Sequence, residues 1–356
     1  MKRKILNIQG LRFFGYLMVF LNHAGWLISD TKYFDFGARG VEIFFLLSGY
    51  MMAYNYSDRI MPDNWKYSFQ YMISKAKKFY FLHFITLMIM VAYLGRNFIL
   101  YHEYLGGLGQ FGVDFILNVT LLKSWYWPSA FSFNGVTWFL SSILFAYLLV
   151  PKLVNLTRHK LNNGGTGLLF TIILVVKIVV DTCMYKMDMN PFPQTISFYT
   201  FPAYRFLDFL IGYLAYLLLG NPDKNKWDTW KISTYQCLVF LGYVISCRVF
   251  DSIWVPGEFL ILTIVLIHSF ALSGGVFDKI FGNRVLVYLG NISFELYIIH
   301  NVIISIFGSR IHDKLHLSGS VTMFLLFMTT LGLGALCHIP KVRMVMTKTV
   351  WEKLRI

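Results

Sequence analysis

Charge is scarce in this chain. Asp, Glu, Lys and Arg make up 14% of its 356 residues, against 56% that are apolar. Soluble domains carry about 25% charge, so a water-facing globule is excluded and the chain reads as an integral membrane protein. Cysteine is sparse too: Cys183, Cys237, Cys247 and Cys337 lie in or beside apolar segments, with no paired framework and no metal-ligand spacing. His83, His102, His159 and His268 show no ligand spacing with acids or cysteines, so no metal site is expected. There is no Gly/Ser linker, low-complexity tract or soluble appendage, and residues 1–356 read as one domain. No Gly-x-Ser-x-Gly elbow surrounds Ser48, which argues against a serine nucleophile of the hydrolase kind.

What the chain has is apolar length. Segments near 8–28, 40–57, 79–95, 136–154, 167–184, 201–219, 232–249, 256–272, 287–307 and 318–338 predict an all-α polytopic membrane protein of about ten transmembrane helices. The apolar stretch 108–123 is short and carries Asp114, so it reads as an interfacial or re-entrant piece. The N-terminal MKRKI and the apolar run after it lack a small-residue cleavage site, and the segment reads as a retained first helix. The formal net charge is +14. Its basic residues fall between apolar segments, a pattern of topology rather than of nucleic-acid binding. With the N-terminus inside, the inner segments hold 21 Lys and Arg and the outer loops 8. Both termini are therefore expected in the cytoplasm.

The first apolar segment, LRFFGYLMVFLNHAG, places Arg12 and His23 where hydrocarbon should surround them. An ionisable residue there is a functional hypothesis by default, because burying it costs several kcal/mol unless a partner or water meets it. Eleven helical steps bring His23 to within roughly 20° of Arg12's direction and about 16 Å along the axis. One helix face thus carries a cation toward the cytoplasmic end and a base toward the outer end. The second segment, GVEIFFLLSGY, puts Glu42 at its outer end and Ser48 roughly 9 Å deeper. A short loop joins the two segments, so Glu42 can lie at the depth of His23.

These residues resemble the membrane acyltransferase type 3 family, which shows Arg, ten residues, His, and then a Gly-Val-acid-x-Phe-Phe-x-x-Ser-Gly-aromatic stretch. NGVTWFLSSILFAYLLVPKL is similar to that family's Trp-x-Leu-Ser…Tyr…Pro segment. YRFLDFLIGYLAY resembles its Arg-x-x-x-Phe-x-x-Gly helix, and LGNISFELYIIH its Ser-aromatic-x-x-Tyr-x-x-His helix. The likeness runs in order over nearly the whole chain. It implies a ten-helix enzyme that moves acyl groups, commonly acetyl from acetyl-CoA, onto hydroxyls of extracytoplasmic glycans. Acyl-CoA is then a donor substrate, and no permanently bound cofactor is implied. The expected partners are the acyl-CoA, a glycan acceptor, the lipid bilayer and glycan-assembly machinery, with the bacterial cytoplasmic membrane as the location. Two departures stand out. Lys75 and Lys78 replace the family's Arg-x-x-Arg pair, with Phe81 where a proline usually follows, so charge is kept but the bidentate fork is lost. Ile143 stands where many members carry a glutamate.

Carried onto this sequence, the likeness makes His23 a general base, since an imidazole with pKa near 6.5 suits neutral pH. Glu42 would orient it, or else be an ordinary acid favoured by the dipole of a helix N-terminus. Arg12, Lys75 and Lys78 would meet the coenzyme, although positive-inside clustering alone explains lysines at that end. Ser48, next to Gly49 and Tyr50, suits either close helix packing or a supporting hydrogen bond at the substrate. Arg205 and Asp208 are spaced to pair, as a structural ion pair or as a wall of the acceptor site. Trp138 can stack on a sugar or sit in an aromatic belt. His300 suggests a second polar wall, off the face of Glu295. Lys177 has no partner that can be named. The competing class is transport of a glycan or small anion, which intramembrane His, Glu and Arg would also serve. Carriers often show internal repeats, and the C-terminal half holds no convincing second copy of Arg-(ten)-His.

Overall fold

The computed structural model describes residues 3–28, 34–101, 104, 106–160, 162–186, 197–249, 258–339 and 342. Among them the regular structure is helical: α1 (Asn7–Ala24), α2 (Gly37–Tyr56), α3 (Trp65–Ala76), α4 (Tyr80–Tyr101), α5 (Gly107–Val119), α6 (Trp138–Lys160) and α7 (Asn163–Lys186) in the first half. In the second half come α8 (Pro202–Leu219), α9 (Thr229–Val249), α10 (Glu258–Ala271), α11 (Phe277–Ile280), α12 (Arg284–Asn291), α13 (Ser293–Lys314) and α14 (Gly319–His338). Every apolar segment of the sequence falls on one of these helices. The stretch expected to be interfacial forms the 13-residue α5. The 287–307 segment is split between α12 and α13, where Asn283 caps α12 by accepting from the amides of Val285 and Leu286.

Six helices, α6, α7, α8, α9, α13 and α14, are long and apolar enough to cross a bilayer. A seventh span forms if α3 and α4, bent by 60° at their junction, count together. Of the ten expected spans, the first two fall outside this set by hydropathy. α1 carries Asn7, Gln9, Arg12, Asn22 and His23, and α2 carries Arg39, Glu42, Ser48 and Asn55, so neither has the hydropathy of a lipid-facing span. Instead both sit inside. α1 packs against α2, α10, α12 and α13, and α2 against α8, α1 and α10. α10, with 14 residues, is short for a span. This is a multi-pass membrane protein whose most polar helices form its centre.

α2 and α8 approach each other closely. Gly49 and Gly212 face each other's helices so tightly that a methyl group at 49 would run into the carbonyl of Phe209, and one at 212 into that of Leu46. Small residues let membrane helices gain dispersion contacts that no hydrophobic drive supplies in lipid. The Ser-Gly pair of the second segment therefore packs through its glycine. Ser48 turns its hydroxyl back onto the carbonyl of Phe44 at 2.6 Å.

The ends of the bundle can be told apart. Arg3 meets Asp223, Lys4 meets Asn291, and Asn7 meets Asp278, gathering the chain start and the loops after α8 and α10 at one end. His23 lies at the other end, in the last turn of α1. The C-terminal residues 343–356 lie outside the described residues.

Candidate functional site

α1 carries Arg12 in its second turn and His23 in its last, on one unbroken helix. At the His23 end the imidazole meets a second one. Nδ1 of His23 lies 2.9 Å from Nε2 of His300 on α13, with the ring planes 15° apart and the centroids 5.1 Å apart. Nδ1 of His300 is in turn 2.7 Å from the carbonyl of Tyr297. A carbonyl only accepts, so Nδ1 of His300 holds a proton and its Nε2 accepts from Nδ1–H of His23. The tautomer follows from these two contacts. His23 is left with an unprotonated Nε2, the atom a general base needs. His300 is fully buried and boxed by Tyr16, Phe20 and Tyr297, whereas His23 is only half-buried.

Glu42 does not take the place predicted for it. It lies near the start of α2, but its carboxylate accepts from Thr263 on α10 at 2.7 Å and faces Arg39 at 3.6 Å. Arg39 stacks on Phe259. The side chain that meets His23 is His300, which spacing alone assigns to a separate wall.

Arg12 is half-buried beside Gln9 and lies within electrostatic reach of Tyr147 on α6. Tyr147 also hydrogen-bonds with Ser48 on α2. Three helices thus converge on Arg12. From there a series of tyrosines runs toward the Arg3 end: Tyr147 interacts with Tyr56 and Tyr71, whose rings meet edge to face. Lys75 closes the series by donating to the Tyr56 hydroxyl at 3.2 Å and lying over the Tyr71 ring. Lys78 is exposed at the α3–α4 bend. A cavity of about 500 Å³ opens at the same end, lined by Ser57, Asp58, Arg158, Tyr216, Asn221 and Lys224. Sequence spacing does not pick out Tyr56, Tyr71 and Tyr147. Hydroxyls on otherwise apolar helices were the available signal.

The third cluster is ionic. Arg205 pairs with Asp208 at 2.7 Å, as the i,i+3 spacing predicts, and donates through Nε to the Tyr199 carbonyl at 2.6 Å. Lys177, unpartnered in the sequence, bridges Asp181 at 3.2 Å and Asp208 at 3.4 Å, and Tyr204 donates to Asp181. Glu42 feels the charges of Arg39, Arg205 and Asp208. Three cations and three acids (Arg39, Lys177, Arg205, Glu42, Asp181 and Asp208) form one buried, electroneutral network. Trp138, Phe45 and Tyr199 surround the Arg205 guanidinium. Trp138 is buried, so it is not part of a lipid-facing belt. Tyr50 is buried too, its hydroxyl 3.3 Å from Nδ1 of His268.

Tyr297 joins the clusters. Its ring touches His300, Phe44 and Phe139, and its hydroxyl feels Arg205 and Tyr199. Among the described residues no group of His, Cys, Asp and Glu has the geometry to hold a metal ion. The arrangement sets an imidazole with an unprotonated Nε2 at one end of α1 and a cationic, hydroxyl-bearing series at the other.

Similarity to known proteins agrees with that chemistry. The chain is 24% identical over 311 residues to ORF330 of Acidianus two-tailed virus, named as a candidate acetyltransferase, covering 85% of this chain and 84% of that one. It is also 24% identical over 332 residues to the acyltransferase MdmB of Streptomyces mycarofaciens, covering 86% of this chain and 81% of that one. No solved structure matches. The family described as "Acyltransferase domain" matches residues 5–339, and the chain, a multi-pass membrane protein, belongs to this acyltransferase family.

Proposed function

We propose that this protein is an acyl-CoA-dependent O-acyltransferase that moves an acetyl or other short acyl group to a hydroxyl of a cell-surface glycan or its lipid-linked precursor. The observation that carries the reading is the His23–His300 pair, which leaves a lone pair on Nε2 of a half-buried imidazole on the same helix as Arg12. The location proposed is a bacterial cytoplasmic membrane, with the N-terminal, Arg3 end of the bundle in the cytoplasm. Lysine and arginine gather at that end, as the positive-inside rule expects.

In this reading the donor enters past Lys78 and Lys75, and its phosphates meet cations there. The pantetheine arm follows Tyr56, Tyr71 and Tyr147 to Arg12, which sits about 16 Å from His23 along the helix. The acceptor approaches from the other end, along Trp138, Tyr199 and Arg205. Nε2 of His23 takes the hydroxyl proton as the oxygen attacks the thioester carbon. The tetrahedral intermediate then collapses, the C–S bond breaks, and the leaving sulfur takes the proton from Nε2, which restores the base. While charged, His23 donates from Nδ1 to His300, a charge-assisted bond that is about twice as strong as a neutral one. Taking that proton would move the positive charge onto a fully buried ring, so His300 orients and stabilises rather than relays.

The test is purified protein with labelled acetyl-CoA and glycan acceptors, wild type against His23→Ala. Transfer by the wild type and loss of about 10²–10⁴-fold in the variant is expected for a general base. A folded His23→Ala protein that still acetylates at the wild-type rate overturns the reading.

A further inference from the structure

The segment between α5 and α6 contains a side chain that the acyl-transfer chemistry does not use. Lys123 is fully buried, yet its ammonium meets no carboxylate. Nζ donates instead to the carbonyl of Ser132 at 2.7 Å, the carbonyl of Asn134 at 3.1 Å and the hydroxyl of Thr137 at 3.3 Å. A buried charge without a counter-ion is costly unless every donor is satisfied, and here three donors meet three acceptors. What they hold is a strained piece of chain. Phe133, between two of those acceptors, has φ of 51°, a left-handed conformation that a bulky residue rarely adopts. Such strain persists where the surroundings over-determine it.

The far side of that segment grips α13. Asn134 is fully buried and donates through Nδ2 to the carbonyl of Ile298 at 2.9 Å, while its Oδ1 accepts from Asn301 at 3.2 Å. The carbonyl of Val136 accepts from the Tyr297 hydroxyl at 3.0 Å. These contacts fall on residues 297, 298 and 301, on either side of His300, and Tyr297 is the residue whose carbonyl fixes the His300 tautomer. We infer that Lys123 and Asn134 are positioning residues that lock the turn of α13 holding His300 against His23. A site held within about half an ångström needs such support from residues that never touch substrate. The titratable neighbours of Lys123 are Asp114 on α5, which acts on it from beyond ion-pair distance, and His83 on α4, whose Nε2 meets the Asn118 carbonyl. Burial lowers the Lys123 pKa to about 7. The neutral amine still has two hydrogens for Ser132 and Asn134, so the brace holds in either state.

The inference rests on the acyl-transfer reading for its kinetic effect, but not for its structural one, and two readouts separate them. Lys123→Met, Asn134→Ser and Tyr297→Phe proteins are compared with wild type for kcat and KM in acetyl-CoA thiol release. Carbethoxylation of His23 by diethyl pyrocarbonate is followed by mass spectrometry as a function of pH, down to where the reaction is lost. A loosened His300 weakens a bond worth about one pKa unit to the imidazolium. The expected results are a kcat about tenfold lower with KM within twofold, and a labelling midpoint moved by about one pH unit. Folded variants with wild-type kcat and an unmoved midpoint overturn the brace. If the wild type releases no thiol, the acyl-transfer reading fails, and the labelling midpoint alone decides the brace. Tyr297→Phe, which removes one hydroxyl, serves if Lys123→Met does not fold.

Discussion

Replacing His300 with alanine isolates what the second imidazole contributes. In the resting protein the 2.9 Å contact chooses the tautomer of His23; as the proton arrives on Nε2, the same contact becomes a charge-assisted bond to an imidazolium. Hydrogen bonds to charged groups are worth about 1.5–3 kcal/mol, and each 1.36 kcal/mol is a factor of about ten in rate. His300→Ala should therefore lower kcat roughly 10- to 150-fold, with KM for acetyl-CoA little changed, because His300 is expected far from the donor's entry. Glutamine at 300 can still accept from Nδ1 and should recover part of the loss. The double variant His23→Ala/His300→Ala should be no slower than His23→Ala alone, since His300 acts only through His23. Thiol release in detergent, with thermal unfolding as the folding control, measures all four proteins. A folded His300→Ala enzyme within twofold of wild type, or losses that multiply in the double variant, would refute this division of labour.

Other perturbations test other parts of the molecule. Arg12→Ala should raise KM for acetyl-CoA about tenfold or more and Arg12→Lys less so, since lysine keeps the charge without the planar fork; equal KM values in all three proteins would remove Arg12 from the donor path. Asp208→Asn strips the shared acid from Lys177 and Arg205, and breaking a buried pair costs about 3–5 kcal/mol. That should appear as a melting temperature lower by several degrees, and an unchanged one would show that the network is not structural. Burial holds the Lys123 pKa near 7, below its usual range, so between about pH 7 and 10 the unfolded chain binds more protons than the folded one. Stability should then rise with pH across that window and level off below it. A melting temperature that falls from pH 7 to 9 more in wild type than in Lys123→Met would contradict the sign.

Much of this was legible in the sequence where the relevant distance runs along one helix. Arg12 and His23 share α1, and Arg205 pairs with Asp208 three residues on, because 3.6 residues per turn fixes both relations. Depth was readable as well: Glu42 lies near the start of α2. Which way it turns was not, since Thr263 on α10 captures it from a segment 221 residues away. The His23–His300 pair, 277 residues apart, lies beyond any local pattern for the same reason. Lys177 is the instructive middle case. Asp181 is four residues on, in its own helix, but the bridge to Asp208 on α8 exists only once α7 packs on α8. α1 and α2 fall below the hydropathy of the long lipid-facing helices because of the polar residues they carry into the centre of the bundle.

The glycine contact between α2 and α8 has a mechanical consequence. With backbone against backbone at Gly49 and Gly212, the two helices have no side-chain layer across which to slide, so they form a single stiff spine. Ser48 and Glu42 ride on one rail of that spine, and Arg205 and Asp208 on the other. Any breathing of the bundle must then come from the helices packed around that spine rather than from slip within it. A disulfide engineered across the α2–α8 spine should leave turnover intact, and turnover lost on its oxidation would show that the two helices move apart.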